Sequence, residues 1–145
     1  MEKEKTCKIV FSDIDGTLLT SDGQIMEGTK EMILNLEKKG IPFILTSARS
    51  PEGVRVIKRM LGNHAPIIAF CGGLILDNDG QEIYSKMIPL KRALELKAML
   101  DKDFPAVACN TFGGEKWIVD DRDDWREQRE EKIVGFPAEI GSIKD

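Results

Sequence analysis

Two carboxylates one residue apart, Asp13 and Asp15, close an apolar run near the beginning of the chain. Neighbouring acids repel each other, so the pair is costly unless a cation shares the site. Mg²⁺ suits it, because this hard ion binds one or two carboxylates and completes its shell with water and phosphate oxygens. One carboxylate can attack phosphorus while the other transfers protons. The pattern indicates phosphoryl transfer, with a solvated turn that caps a helix as the alternative.

The two acids require a strand that delivers them to the edge of a sheet. Apolar runs predict buried strands at 8–12, 41–47 and 66–71, with helices between them at 26–39 and 51–61. This alternation predicts an α/β fold with a doubly wound parallel sheet and right-handed crossovers. Ligands bind beyond the carboxyl ends of such strands, where Asp13 is expected. Gly16 then lets the backbone turn and approach a ligand closely.

Three predicted helices each have apolar residues on one face. They comprise Met32, Ile33 and Leu36 on the first helix, Val54, Ile57 and Leu61 on the second, and Leu96, Leu100 and Phe104 on a third at 90–103. Ser50 is predicted to cap the second helix, with Pro51 at its first position and Gly62 just past its end.

The chain changes character after Cys71. The expected elements are a hairpin turning at 78–80, the helix at 90–103, antiparallel strands at 106–112 and 115–121, and an exposed helix at 122–132. We therefore expect residues 1–86 to form the amino-terminal part of an α/β core. Residues 87–145 are expected to form a partial α+β module.

Other polar residues are expected near the same crevice. Ser47 ends the strand beside that of Asp13, so its hydroxyl can donate to a phosphate oxygen; a turn or capping serine is the alternative. Arg49 can bind phosphate or carboxylate through two parallel N–H groups, or lie on the surface as an ordinary arginine. Cys71 ends the third strand, where a buried, inert thiol is expected because no base or second cysteine is near in sequence.

The remaining candidates are expected to be structural. His64, the only histidine, is expected in a solvated loop. Trp117 and Trp125 can shape a substrate lip, but packing in the core or in the cap is favoured. The charged run around Trp125 is expected to be a solvated helix face with i, i+4 pairs such as Arg126 and Glu130.

The stretch DIDGTLL, residues 13–19, resembles the first motif of the haloacid dehalogenase-like (HAD) superfamily. The flanking sequence is similar to its Cof-type branch, sugar-phosphate and related phosphatases with an inserted α+β cap. The resemblance implies that Asp13 is the nucleophile and a ligand of Mg²⁺. It implies that Asp15 is the general acid and base and binds the metal through its carbonyl oxygen, while Gly16 and Thr17 steady the phosphate.

Two further motifs of the superfamily are matched with departures. Its second motif, usually TGR, is represented here by SAR, so that Ser47 takes the phosphate-binding role and Arg49 the arginine position, with Ala48 replacing glycine. After the third strand the superfamily often has NGA, whereas this chain has CGG at residues 71–73. The amide side chain is therefore missing from that position.

The resemblance covers essentially the whole chain but only the first half of a full-length relative. Neither the lysine motif nor the acidic GDxxND-like loop of the superfamily is matched in residues 86–145, which predicts a chain truncated within the cap. Three functions stay open: a Mg²⁺-dependent phosphatase of small phosphorylated metabolites, a catalytically weak remnant that binds phosphate or a partner chain, and a phosphotransferase or mutase.

The run CKIVF, residues 7–11, is apolar on both faces, as in a central strand. In full-length relatives this strand is flanked on both sides, so here one edge is expected to be open. An open apolar edge favours self-association or a partner chain. The alternative is that the tail from Ile133 folds back over it.

Bulk composition argues against several other classes. A content of 41% apolar and 32% charged residues is typical of a globular domain, and a net charge of −4 gives no nucleic-acid footprint. No apolar run approaches the roughly 20 residues of a membrane span, and the amino terminus lacks the apolar segment of a signal peptide. Three separate cysteines indicate free thiols in a reducing cytoplasm.

Overall fold

The computed structural model describes residues 7–144. They divide into two compact units, with the boundary between Ser85 and Lys86. The first unit contains β1 (Val10–Asp13), α1 (Glu27–Lys38), β2 (Phe43–Thr46), α2 (Pro51–Leu61), β3 (Ile67–Ala69), β4 (Leu74–Leu76) and β5 (Glu82–Ser85). The β-α-β-α-β order of the first part of the chain is confirmed.

One five-stranded sheet, in the order β1-β2-β3-β4-β5, organises the first unit. β1, β2 and β3 are parallel, and the hairpin β4–β5 extends the same sheet in antiparallel orientation. The α/β fold is thus confirmed, with a sheet that is mixed because its hairpin side is antiparallel. Three of the four β2 residues are buried, as expected for a parallel strand covered on both faces.

Helix α2 is the best-defined element in sequence and in structure. The Ser50 hydroxyl accepts a hydrogen bond from the Gly53 amide, Pro51 is the first helical residue, and Gly62 ends the helix in the left-handed conformation with a φ of 70°. Its predicted apolar face, Val54, Ile57 and Leu61, is buried. Beyond the helix, the Asn63 side chain donates to the Phe43 carbonyl at 2.7 Å, which fixes the helix end against the start of β2.

Helix α1 buries a narrower stripe than the sequence predicted. Ile33 is only 3% exposed and Leu36 packs against the core. Met32, which was grouped with Ile33 and Leu36 on one apolar face, is 61% exposed. Adjacent residues on a helix point about 100° apart, so Met32 and Ile33 cannot both face the sheet when the stripe is narrow.

The second unit contains α3 (Leu90–Asp103), β6 (Thr111–Gly113), β7 (Lys116–Val119), α4 (Trp125–Val134) and β8 (Glu139–Ile140). Its sheet has the order β6-β7-β8, with β6 and β7 antiparallel and β8 parallel to β7. A small core of Trp117, Val119, Val134 and Ala138 lies beside Phe136. The predicted pair of antiparallel strands is confirmed, although the first one begins only at Thr111.

The apolar faces of this unit are less buried than the sequence predicted. No residue of α3 is buried, and Leu96 and Phe104 on its predicted apolar face are 45% and 53% exposed. Trp117 is packed as predicted, with only 2% exposure, whereas Trp125 is 67% exposed, so packing in the core or in the cap was the wrong interpretation for it. Trp125 is the first residue of α4, where few neighbours can cover a large ring.

The charged run also differs in detail from the prediction. Arg126 pairs with Asp124 and not with Glu130, because Asp124 is the residue that caps α4 and also accepts from the Arg126 amide. These hydrogen bonds lower the pKa of Asp124 to about 2. Glu127, in contrast, is buried, so the helix face is not fully solvated.

Candidate active site at the carboxyl ends of β1 and β2

The ends of two parallel strands bring the first candidate residues together. Asp13 is the last residue of β1 and lies opposite Thr46, the last residue of β2, in the parallel register. Ser47 follows Thr46 directly and is 5% exposed. Asp13 and Ser47 therefore lie at the same edge of the sheet, the edge where ligands of open α/β sheets bind.

The loop after β1 turns sharply over a buried anchor. Ile14 is fully buried, and its carbonyl accepts from the amides of Leu18 and Leu19 at 3.0 Å each. Gly16 has a φ of 76°, a left-handed value that a residue with a side chain adopts only at a cost. Asp15, Gly16 and Thr17 are exposed. The buried Ile14 thus anchors the loop, while Asp15, Gly16 and Thr17 are exposed to solvent.

Arg49 and Asp15 form a two-point ion pair between the loops that follow β2 and β1. The Arg49 Nη2 and Nε groups donate to the two carboxylate oxygens of Asp15 at 2.7 and 2.9 Å. The Arg49 side chain is 11% exposed, so the interpretation as a surface arginine was wrong. These hydrogen bonds and the nearby positive charge hold the pKa of Asp15 below its usual range, against the smaller opposing effect of burial. Asp15 is therefore ionised at neutral pH.

Ser47 is held by the backbone of the same loop. Its hydroxyl oxygen accepts from the Arg49 amide at 3.1 Å, while its own amide donates to the Ile68 carbonyl of β3 at 3.0 Å. Because the hydroxyl is the acceptor in the first bond, it can still donate its hydrogen to a phosphate oxygen. The β2 loop thus links Ser47, Arg49 and Asp15 in one chain of hydrogen bonds.

The end of β3 contributes a turn that the sequence did not reveal. Phe70 and Cys71 have φ values of 50° and 53°, and Gly72 has 92°. Cys71 is exposed, so the expectation of a buried thiol was wrong. The chain leaves the sheet at Ala69, two residues earlier than predicted, which carries Cys71 out of the core. The Gly72–Gly73 pair indicates a turn, but phenylalanine and cysteine are not residue types that predict a left-handed backbone at positions 70 and 71.

Two oxygen groups at the end of β1 can be compared with the ligands that Mg²⁺ prefers. Within residues 7–144, no three His, Cys, Asp or Glu side chains are grouped closely enough to hold a metal ion. The Asp13 carboxylate and the Asp15 carbonyl oxygen fit the hard oxygen ligands that Mg²⁺ takes alongside water and phosphate. His64 is exposed and its amide donates to Glu37, so its interpretation as a solvated loop residue is confirmed.

Comparisons with known proteins agree with this fold. Residues 10–142 match a family described as haloacid dehalogenase-like hydrolase. A Haemophilus influenzae protein named "Putative phosphatase" is 36% identical over 124 residues, which cover 79% of this chain and 47% of that protein. A haloacid dehalogenase-like hydrolase from Bacteroides thetaiotaomicron has a TM-score of 0.84 and 20% identity, covering 94% of this chain and 52% of its own.

A second solved structure, described as a HAD subclass IIB sugar phosphatase, has a TM-score of 0.70 and 20% identity, covering 92% of this chain and 52% of its own. At this identity the structural likeness shows the fold. The chain belongs to the haloacid dehalogenase-like hydrolase family. It spans about half the length of the relatives it matches.

Within residues 7–144, none of the helices has the length and apolar character needed to cross a bilayer.

Proposed function

We propose that this chain carries the nucleophile half of a Mg²⁺-dependent phosphomonoesterase site that acts on small phosphorylated metabolites of the sugar-phosphate type. The observation that carries the proposal is the meeting of Asp13 and Ser47 at adjacent strand ends, with Asp15 held beside them by Arg49. Family membership supports the reaction class. The substrate class rests on the resemblance of the motifs and on the description of one structural neighbour.

The reaction follows from what each side chain can do. The Asp13 carboxylate attacks phosphorus, and the bond from phosphorus to the leaving oxygen breaks, which gives an aspartyl-phosphate. Asp15 gives a proton to that leaving oxygen and later takes one from the water that hydrolyses the intermediate. Ser47 donates a hydrogen bond to a phosphate oxygen, and Thr17 and the Gly16 amide steady the same group.

Arg49 couples phosphate binding to the state of Asp15. A guanidinium that binds a carboxylate through two N–H groups can bind phosphate in the same way. When phosphate takes over part of this interaction, the pKa of Asp15 rises toward its ordinary value, because the hydrogen bonds that lower it are shared.

Mg²⁺ would be held by the Asp13 carboxylate and the Asp15 carbonyl oxygen, and it neutralises charge on the phosphate when bound. Two protein ligands are few for this ion, so we expect weak binding to the chain by itself. This limited ligand set favours a second candidate function, that of a catalytically weak chain that binds phosphate or a partner. A phosphotransferase or mutase would share Asp13 but exclude water from the intermediate.

An assay with a generic aryl phosphate and Mg²⁺ tests the proposal. We expect slow hydrolysis by the wild type and none by Asp13→Asn, because the amide is a poor nucleophile. Asp79→Asn is the matched control, since Asp79 is an exposed aspartate in the β4–β5 turn of the same unit. Full Mg²⁺-dependent activity in Asp13→Asn would remove the nucleophile. Phosphate binding without turnover would favour the second candidate.

The open edge of β1 supports a proposal about association. Among the described residues β1 pairs only with β2, and Phe11 on this strand is 56% exposed. In the tail, β8 pairs with β7 of the second sheet, and a tail that folds back over the β1 edge stays the alternative. We propose that the chain self-associates through β1 or binds a chain that covers it.

We also propose a cytoplasmic location. The three free cysteines are consistent with it.

A further inference from the structure

The turn after β3 is strained in a way that the rest of the described chain is not. Within residues 7–144, Phe70 and Cys71 are the non-glycine residues with positive φ, and they are consecutive. A left-handed backbone brings the β-carbon too close to the following carbonyl oxygen, so each residue pays a steric cost. Such strain persists only where the surrounding structure enforces it, and it concentrates at functional sites.

Two hydrogen bonds connect this turn to the loop of the candidate active site. The Phe70 amide donates to the Arg49 carbonyl at 3.0 Å, and the Cys71 amide donates to the Ser47 carbonyl at 2.9 Å. Both acceptor carbonyls belong to residues of the candidate site, Ser47 and Arg49. The strained conformation therefore aims two successive amides at the loop of the neighbouring strand.

The side chains of the turn have separate parts in this arrangement. Phe70 is partly buried and packs against the core of the first unit, which anchors the turn. Cys71 is exposed, so its thiol is not required for packing. The contribution of Cys71 to the loop is made by its backbone amide and depends on its backbone conformation.

We propose that the Phe70–Cys71 turn is a positioning element of the phosphate site, which holds Ser47 and Arg49 in their binding geometry from the end of β3. This inference rests on the proposed function and adds a residue pair that does not touch the phosphate. It separates the conformation of residue 71 from the chemistry of its side chain. Substitutions that change only the thiol are neutral, whereas those that change the left-handed preference alter phosphate binding.

The test measures inorganic phosphate binding to the full chain by NMR titration in the presence of Mg²⁺. Cys71→Val places a β-branched residue at the left-handed position, and we expect roughly tenfold weaker binding. Cys71→Ala removes the thiol alone and retains wild-type affinity. Cys109→Val is the matched control, because Cys109 is a partly buried cysteine without a positive φ. It leaves affinity unchanged.

Hydrogen exchange of the Phe70 and Cys71 amides supplies a readout that needs no ligand. Asparagine adopts the left-handed region more readily than cysteine, so Cys71→Asn slows exchange of both amides several-fold and retains phosphate binding. This arm holds even if Cys71→Val does not fold. Unchanged exchange in Cys71→Asn, or wild-type phosphate affinity in folded Cys71→Val, overturns the inference alone. A wild-type chain that binds no phosphate overturns the proposed function as well.

Discussion

Asp15 and Arg49 define the electrostatics of the site at the scale of single residues. A general acid must carry a proton, yet the two hydrogen bonds from Arg49 favour the ionised carboxylate. The pair therefore suits a resting state in which Asp15 is charged and Arg49 is positioned for an anion. Because the Asp15 side chain is 58% exposed, solvent screens the interaction, and its contribution to stability is below about 1 kcal/mol.

Replacing Arg49 by glutamine is expected to raise the pKa of Asp15 toward the ordinary aspartate value of about 3.9. The physical reason is the loss of both hydrogen bonds and of the guanidinium charge. In the wild type the pair stabilises the fold above the unfolded-state pKa, and this contribution is lost as pH falls through the lower folded-state pKa. Carbon-13 NMR titration of the carboxyl group, without Mg²⁺, measures the shift.

Arg59→Gln is the control for this titration, because Arg59 pairs with Glu52 on α2 and not with Asp15. It should leave the pKa of Asp15 unchanged. An Asp15 pKa that is the same in Arg49→Gln and in the wild type would contradict the ion pair.

Glu127 is a second residue with a chemistry set by its surroundings. It is 2% exposed, and its Oε1 atom accepts from the Asn110 amide group at 3.2 Å. Among the described residues, its buried Oε2 atom has no hydrogen-bond partner. Burial raises the pKa of Glu127 above the usual glutamate range. Sequence reasoning missed this residue because nothing in a run of charges marks the one that faces the core.

Glu127→Gln is expected to stabilise the chain at neutral pH by on the order of 1 kcal/mol, because it removes a charge that is costly to bury. At pH below the unfolded-state pKa the glutamate is neutral in both states and costs nothing. As pH rises through the higher folded-state pKa, wild-type stability is lost. The advantage of the variant therefore grows with pH over this window.

Urea unfolding of the full chain between pH 4 and pH 8 measures the Glu127 effect, with about one kcal/mol resolved by shifts in midpoint. Glu130→Gln is the matched control on the exposed side of the same helix. Equal behaviour of the two variants at every pH would contradict a raised pKa at Glu127.

At the scale of elements, α2 shows what the sequence could predict. Its serine cap, its proline at the first position, its apolar face and its terminal glycine are all local signals, and all were confirmed. Helix α3 has the bounds that the sequence predicted, but none of its residues is buried, which the sequence did not predict. Periodicity shows which face of a helix is apolar, whereas burial depends on what packs against that face.

The candidate site also has features that the sequence could predict and features that it could not. Asp13, Ser47 and Arg49 could be found because motif spacing and strand ends are visible in sequence. The choice of Asp15 as the partner of Arg49 needed the three-dimensional arrangement, since the two residues lie 34 positions apart. The strained Phe70–Cys71 turn makes its hydrogen bonds to the loop after β2, which is distant in sequence. The local sequence around residue 70 therefore does not predict it.

Ser50→Ala is expected to lower the free energy of unfolding by about 1 kcal/mol, the usual cost of losing a helix cap. The Ser50 hydroxyl satisfies the Gly53 amide at the start of α2, directly after Arg49. Denaturant unfolding measures the change. Ser21→Ala, an exposed loop serine, is the control. A cap variant as stable as the control would show that water replaces the bond without cost.

At the scale of the whole molecule, the five-stranded sheet has two edges of different character. β1 ends it on one side with the exposed Phe11, and β5 ends it on the other with Ile83, which is 61% exposed. A parallel strand with an unpaired edge and an apolar side chain favours pairing with another chain. We expect concentration-dependent self-association through β1.

Light scattering after size exclusion tests this expectation. Phe11→Lys places a charge on the β1 edge and should shift the chain toward monomer, because edge lysines oppose strand pairing. Ile83→Lys makes the same change on the opposite edge and should leave association unaltered. A wild type that stays monomeric at high micromolar concentration would contradict the proposal. Equal effects of the two variants would show that the chains do not associate through β1.

The central claim is that Asp13 forms a covalent bond to phosphorus, and chemical trapping tests it most directly. The wild-type chain is incubated with an aryl phosphate and Mg²⁺, quenched in acid and reduced with borohydride, which converts an aspartyl-phosphate to homoserine. Peptide mass spectrometry then locates the modified residue. We predict homoserine at position 13 in the wild type and none in Asp13→Asn. Release of phosphate by the wild type with Asp13 unmodified, or modification at another residue, would contradict the claim.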